Sequence, residues 1–259
     1  MSQKLLEQLT AAMPSAMEVP TPIKQLYQWI EQQGFFIDNA DDERIGFLYS
    51  DEKLQESQTE NGRGGGTDIE FKAEGSKYLH HWFGAEHDEV NQRLCVFAKT
   101  GGEGSMAAFW LSDIGEVKIV HLGSGSGSLL NCVLADNSID FLRLLAIGYD
   151  EICWDDAFSA SPQDNDEFVV QPNIEFQNWV KETFQVTIPE TALEIVKHPA
   201  SMDDSNSKDE FWNWCRKFQQ EETKEDVLAI AKLMKEVGVD RDFIIENTGL
   251  SGAEVDSLE

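Results

Sequence analysis

Leu94-Cys95-Val96-Phe97-Ala98-Lys99, Met106-Ala107-Ala108-Phe109-Trp110-Leu111 and Val117-Lys118-Ile119-Val120-His121-Leu122 decide the fold of this 259-residue chain. Each is a short apolar run of strand length, and each is followed or preceded by a glycine-bearing turn. Gly101-Gly102-Glu103-Gly104-Ser105 and Asp113-Ile114-Gly115-Glu116 are of hairpin length. With a fourth run at 129–135, the spacing predicts an antiparallel sheet. Asn137 or Ser138 then caps a segment over 139–147 in which only Asp140 and Arg143 are polar. A helix apolar on nearly every side has to be buried, and the sheet is its partner; Gly148 stops it.

Upstream of the sheet, Leu5, Leu6, Leu9 and Ala12 stand at helical spacing before Met13-Pro14. Pro22 opens a second helix with Ile23, Leu26, Tyr27 and Ile30 on one face and Gly34 closing it. From 38 to 66 the chain turns polar, and Asn61-Gly62-Arg63-Gly64-Gly65-Gly66 reads as a flexible loop. Downstream, short helices are expected over 175–184 and 190–197, between Pro172, Pro189 and Pro199. A linker at 202–206 leads into a helical tail. There Ser207 with Glu210 fits a capping box, and Phe211, Trp214, Cys215 and Phe218 form an i, i+3, i+4, i+7 stripe. Thr223 with Asp226 opens a helix whose expected face is Val227, Ile230, Ala231, Met234 and Val237. Asp240 starts another through Phe243, Ile244 and Ile245, and Ser251 with Glu254 caps a last turn. The organisation is an N-terminal helical segment over 1–21, an α+β domain over 22–200 and a helical extension over 207–259.

Charge narrows the function classes. Lys and Arg number 20 against 48 Asp and Glu, a formal charge of −28. Phosphate binding requires net neutralisation by cations, so nonspecific association with DNA, RNA or an anionic membrane is disfavoured, and association with a basic protein is favoured. No apolar stretch is long enough to span a membrane and no signal-peptide core stands at the N-terminus, which points to the cytoplasm. Cys95, Cys132, Cys153 and Cys215 contain no C-x-x-C pair and lie in apolar surroundings, as free buried thiols of a reducing compartment.

Motifs for catalysis are weak. His80, His81 and His87 form H-H-x5-H beside Glu86, Asp88 and Glu89; imidazole and carboxylate suit zinc, but the spacing matches no zinc motif. Gly123-Ser124-Gly125-Ser126-Gly127-Ser128 lacks the spacing and the following helix of a phosphate loop, and reads as a mobile loop. Asp68, Glu70 and Lys72 reproduce an acid-x-acid-x-Lys arrangement of metal-dependent nucleases, in a chain with no basic groove for such a substrate. Asp164-Asn165-Asp166-Glu167 lacks a calcium-loop pattern. The tail has a helix-turn-helix outline, but residues 223–259 carry four basic and nine acidic side chains, net −5, which phosphate repels. No cofactor is expected.

The segments Gly104–Leu111, Val120-His121-Leu122-Gly123-Ser124 and above all Phe141-Leu142-Arg143-Leu144-Leu145-Ala146-Ile147-Gly148-Tyr149 resemble the SUKH superfamily, as does the Pro22–Gly34 helix with its Pro-Ile-x-x-Leu-Tyr-x-Trp pattern. That group contains fungal cell-wall-assembly (glucan-synthesis) regulators and bacterial immunity proteins of polymorphic and contact-dependent toxin systems. The resemblance covers about residues 20–200. It implies an α+β fold, a twisted, mainly antiparallel sheet packed against helices, and a role in binding without catalysis. Its leading expectation is an immunity protein that masks a basic, nucleic-acid-acting toxin; a regulatory interaction scaffold is the second, and a metal-dependent enzyme a remote third. Acidic candidates for the contact face are Asp38, Asp41, Asp42 and Glu43, and the cluster Asp150, Glu151, Asp155 and Asp156. Trp154 is either an aromatic anchor of that face or a core residue beside the 139–147 helix.

Overall fold

The structure, a computed structural model, describes residues 3–57, 63–164, 170–218 and 224–258. The chain divides into two compact units, Met1–Phe218 and Gln219–Glu259.

A seven-stranded antiparallel sheet organises the first unit, with its strands in chain order: β1 (Phe36–Asp38), β2 (Arg44–Gly46), β3 (Glu70–Gly75), β4 (Leu94–Lys99), β5 (Met106–Leu111), β6 (Val117–Leu122) and β7 (Val133–Ala135). β4, β5 and β6 fall on the three runs that open the sequence reading, and β5 pairs with β6 in unbroken register from Met106↔Leu122 to Leu111↔Val117. The 129–135 run contributes less strand than expected: Leu130 leaves the sheet to bridge Ser201, and β7 begins at Val133. The fold is α+β, as expected.

Around the sheet stand α1 (Lys4–Ala12), α2 (Thr21–Gln33), α3 (Asp51–Ser57), α4 (Leu79–Trp82), α5 (Asp88–Arg93), α6 (Ser138–Ile147), α7 (Ile174–Phe184) and α8 (Glu210–Cys215). Both faces of the central strands are covered, which is why these strands read as continuous apolar runs instead of alternating ones. Adjacent side chains on β5 show the division. Phe109 stacks on Phe97 with ring centroids 4.2 Å apart, and Phe97 meets Phe141 of α6 at 5.6 Å. Trp110, pointing the other way, meets Phe211 and Trp214 of α8 at 5.3 and 5.7 Å.

The helix ends follow their capping residues. Asn137 caps α6 by accepting from the Asp140 N–H, and Gly34 and Gly148 close α2 and α6 in the left-handed region. The expected Ser207–Glu210 box is replaced. Asp209 caps α8, accepting from Trp212 N at 2.8 Å, while its second oxygen accepts from Val133 N of β7 at 2.9 Å. Asp209 is 3% exposed, and burial pushes its carboxyl up to about 6. One side chain thus ties α8 to the sheet edge. Over 190–197 only a 3-10 turn forms, Ala192–Glu194, held by a Thr191–Glu194 capping box.

One boundary moves. Phe211, Trp212, Trp214 and Cys215 are buried in the main core, so the division of the chain lies between Phe218 and Gln219, not at 207. The glycine-rich loop is also firmer than expected. Asn61 and Gly62 lie outside the described residues, but Gly65 N donates to the Gln171 carbonyl, and the Tyr49 hydroxyl donates to the Gly65 carbonyl. A Cβ on Gly65 would run into the Gly148 backbone, so glycine here permits a close approach of two chain segments.

The second unit contains α9 (Lys224–Glu236), α10 (Arg241–Thr248) and α11 (Gly252–Asp256). Asp240 and Ser251 cap α10 and α11 as expected; Thr223 lies outside the described residues. Its core is Ala231, Ile244, Leu250 and Val255, joined by Val227, Leu228 and Met234. Ile230 and Val237, expected on that face, are exposed. Among the described residues no helix is long and apolar enough to cross a membrane.

Candidate functional site

The two acidic clusters singled out in the sequence differ in structure. Asp38, at the end of β1, takes a bidentate contact from Arg44 at 3.0 and 2.8 Å and a third from Lys4 at 3.2 Å. Those cations hold its carboxyl down to about 2. Arg44 itself is 8% exposed; it also pairs with Glu31 at 3.1 Å and lies 3.6 Å from the Phe36 ring centroid. Asp42 pairs with Lys4, and Glu43 with Lys72 at 3.6 Å. Asp41 sits at the exposed turn between them. The cluster is largely compensated: three of its four acids, Asp38, Asp42 and Glu43, are spent on cations from α1, β2 and β3.

Around Asp150 the balance is different. Asp150 and Glu151 follow the Gly148 stop of α6, and the chain then returns along the β4–β5 hairpin, with Ile152 N donating to the Thr100 carbonyl at 3.0 Å. Glu151 receives Gly102 N at 3.0 Å and Trp154 Nε1 at 3.1 Å. Glu103, from the hairpin tip, converges on the same place and takes a hydrogen bond from Ser105. Asp68, just ahead of β3, reaches Glu151 from a third segment. Burial and then its acidic neighbours raise the Asp68 carboxyl, and burial raises Asp150. Asp155 and Asp156 continue the acidic run on an exposed 3-10 turn, Asp155–Ser159. Among the described residues, the one ion pair to a Lys or Arg from this group of six acids is Arg63–Asp150, at 3.3 Å.

Trp154 sits in the middle of this face. It is 43% exposed, so of its two readings the structure removes the core one. Its indole N–H is spent on Glu151, which fixes the ring on its edge and leaves apolar surface outward. Leu129, also exposed, follows Ser128, whose hydroxyl donates to the Cys153 carbonyl. The Gly123–Ser128 segment, read as a mobile loop, is held from both sides. Trp82 donates to the Gly123 carbonyl at 2.8 Å, and Ser105 accepts from Ser124 N at 3.2 Å.

Beneath the face lie Cys153, Thr100 and His121, all buried. The Thr100 hydroxyl donates to His121 Nε2 at 2.9 Å, and Nδ1 donates to the Leu130 carbonyl at 2.7 Å. Burial pushes this imidazole down to about 4, so it is neutral and fully used. Glu103, Glu151 and Cys153 bring one potential donor atom each within 4.8 Å of one another, and among the described residues no other group of His, Cys, Asp or Glu does so. Cys153, however, directs its thiol at the Thr100 carbonyl, 3.2 Å away, and burial raises its pKa; the group is a carboxyl cluster over a protonated thiol. A Cβ on Gly101 would run into that sulfur and the Glu103 carboxylate, so glycine lets the hairpin close over them.

The other motifs do not assemble. His80 and His81 lie with ring centroids 3.8 Å apart and tilted by 43°, His80 3.5 Å from Glu86, while His87 packs on Phe218 at 5.1 Å, and the three imidazoles share no centre. Glu70 pairs with Lys99 and Lys72 with Glu43 and Glu74, so the acid-x-acid-x-Lys residues are drawn to different partners from Asp68. A cavity of about 680 Å³ lies elsewhere, between the α2 end, α3 and the α7 start; Tyr49, Lys53, Arg63 and Asn173 line it, with no His or Cys among its described walls. Glu103 was missed in the sequence because it read only as a turn residue; nothing local links it to Asp68 or to Asp150 and Glu151, all more than 30 residues away. Searches against protein-family models, curated proteins and solved structures return no match for this chain.

Proposed function

We propose that the chain is a binding protein without catalytic activity, and that the face formed by Asp68, Glu103, Asp150, Glu151, Trp154, Asp155 and Asp156 receives a basic protein partner. The observation that carries the reading is an indole held on its edge by Glu151 at 3.1 Å in the middle of acids that have a single paired cation. Such a surface offers what a protein hot spot uses, a rigid aromatic ring for area and cation contact, and carboxylates that gain from a lysine or arginine arriving. The charge of −28 would speed encounter with such a partner and make it salt-sensitive.

Together with the SUKH-like resemblance, this favours an immunity-type role: a cytoplasmic protein that covers the basic cleft of a nucleic-acid-acting toxin, presenting carboxylates where phosphates would lie. The test is affinity capture from the native host at low salt, repeated with Trp154→Ala. A single stoichiometric basic partner, lost with the variant, supports the reading. Recovery of several partners bound equally well by the variant would favour a scaffold, and no basic partner at all would end the proposal.

A further inference from the structure

The second unit carries a feature that the binding face does not explain. Ile230 and Leu233 of α9 are 45 and 64% exposed, Val237 in the turn that closes the helix is 73% exposed with its N–H on the Leu233 carbonyl, and Phe243 of α10 is 52% exposed. The spacing i, i+3, i+7 puts the first three on one stripe, beside the face that α9 turns inward through Val227, Ala231 and Met234. Helix α9 is therefore apolar on two adjacent faces, and only one is used.

Size makes the unused face significant. The unit spans 41 residues, and its fully enclosed core is Ala231, Ile244, Leu250 and Val255. Units of this size need help from disulfides, metals or association to be stable. All four cysteines lie in the first unit, and no metal-ligating group occurs among the described residues of the second. The first unit presents its own exposed large apolar residues singly, on separate segments, at Ile37, Tyr78, Ile114, Leu129, Trp154, Ile174 and Leu193. Among the described residues of the first unit, no two of these stand at helical spacing on one element.

A second copy has the matching stripe. In an antiparallel α9–α9 pairing centred near Leu233, Ile230 of one copy faces Val237 of the other, and the two Leu233 side chains meet on the axis. Lys232 and Glu236, exposed and making no ion pair among the described residues, lie on the flank so that Lys232 of each copy faces Glu236 of the other. We infer that the second unit is a self-association module, through which two copies pair by their α9 stripes in a two-fold, isologous contact. The occupant is a copy of the same chain because the charges that flank the stripe, Lys232 and Glu236, are complementary to themselves when the helix pairs antiparallel.

Sedimentation of the full chain at about 0.15 M salt, from about 1 to 200 µM, tests this. The expected result is a monomer–dimer equilibrium that strengthens as salt rises, since salt screens the repulsion between two chains of −28 and leaves apolar contact intact. Leu233→Asp with Val237→Lys should abolish the dimer with the circular dichroism unchanged. Lys232→Glu and Glu236→Lys should each weaken it about tenfold, and an equimolar mixture of those two variants should restore it, because every cross-pair is again opposite in sign. A chain that stays monomeric at the highest concentration overturns the inference. So does a dimer that the apolar double variant leaves intact.

Discussion

The Asp38–Glu43 and Asp150–Asp156 clusters look alike in sequence and behave oppositely in structure. In the first, Lys4, Arg44 and Lys72 arrive from α1, β2 and β3, and the carboxylates hold elements together. In the second, the segments that arrive bring more acid: Asp68 from ahead of β3 and Glu103 from the hairpin tip. Net charge does not say where an acidic protein is unsatisfied; the pairing inventory does. A compensated cluster is part of the scaffold, whereas an uncompensated one is a surface whose energy improves when a cation comes.

The comparison breaks most visibly at Arg44. Arg44→Ala strips the cation from buried Glu31 and from Asp38 at once, and should cost about 3 kcal/mol in urea unfolding, without changing partner capture. Gly101→Ala attacks the other cluster from below. Its methyl group displaces the Cys153 sulfur or the Glu103 carboxylate, at about 2 kcal/mol of stability, and weakens partner binding as the hairpin lifts. Trp154→Ala should leave stability within about 0.5 kcal/mol, since the ring is exposed, and lower partner affinity roughly tenfold, or about 1.4 kcal/mol by titration calorimetry. Asp155→Asn with Asp156→Asn should slow association a few-fold at low salt and lose that effect at high salt, while Asp41→Asn with Asp42→Asn changes neither.

The smallest effect is one of sign. Asp38 is held at about 2, so its pairing supports the fold above the ordinary aspartate value of about 4 and is lost as pH falls through 2. Asp68 and Asp150 are raised, so their contribution is full in acid, below about 4, and is lost as pH climbs through their elevated values. In pH–stability curves, Asp38→Asn should flatten only the acid limb, and Asp150→Asn only the slope above it.

How much of this was legible depended on how local the cause was. β4, β5, β6 and the caps at Asn137, Gly148, Asp240 and Ser251 each follow from a handful of neighbouring residues, and all were readable. β1 and β2 are only three residues long, and exist because they pair with each other and β2 with β3; three residues such as Phe36-Ile37-Asp38 are too short a run to request a strand alone. The Phe211–Trp214–Cys215 stripe was visible as an amphipathic helix, but a stripe does not name the surface it will cover, so α8 was assigned to the tail. In α9 the apolar residues fill two adjacent faces, and periodicity alone does not choose which one turns inward. The acidic face proposed to bind a partner was half legible: Asp150, Glu151, Trp154, Asp155 and Asp156 fall within seven residues, whereas Asp68 and Glu103 join them only through the fold.

The seat of α8 on Trp110 has a consequence for how the protein is made. The sheet runs in chain order, so each strand can add to its predecessor as it leaves the ribosome. Trp110 emerges with β5, but Phe211 and Trp214, which cover it, come about a hundred residues later. Throughout that interval one side of the nascent sheet is an open aromatic surface, the kind that chaperones hold and that drives aggregation when they do not. A chain cut short before Glu210 would keep that surface bare permanently, and its insolubility would look like a defect of the sheet when the missing part is its lid.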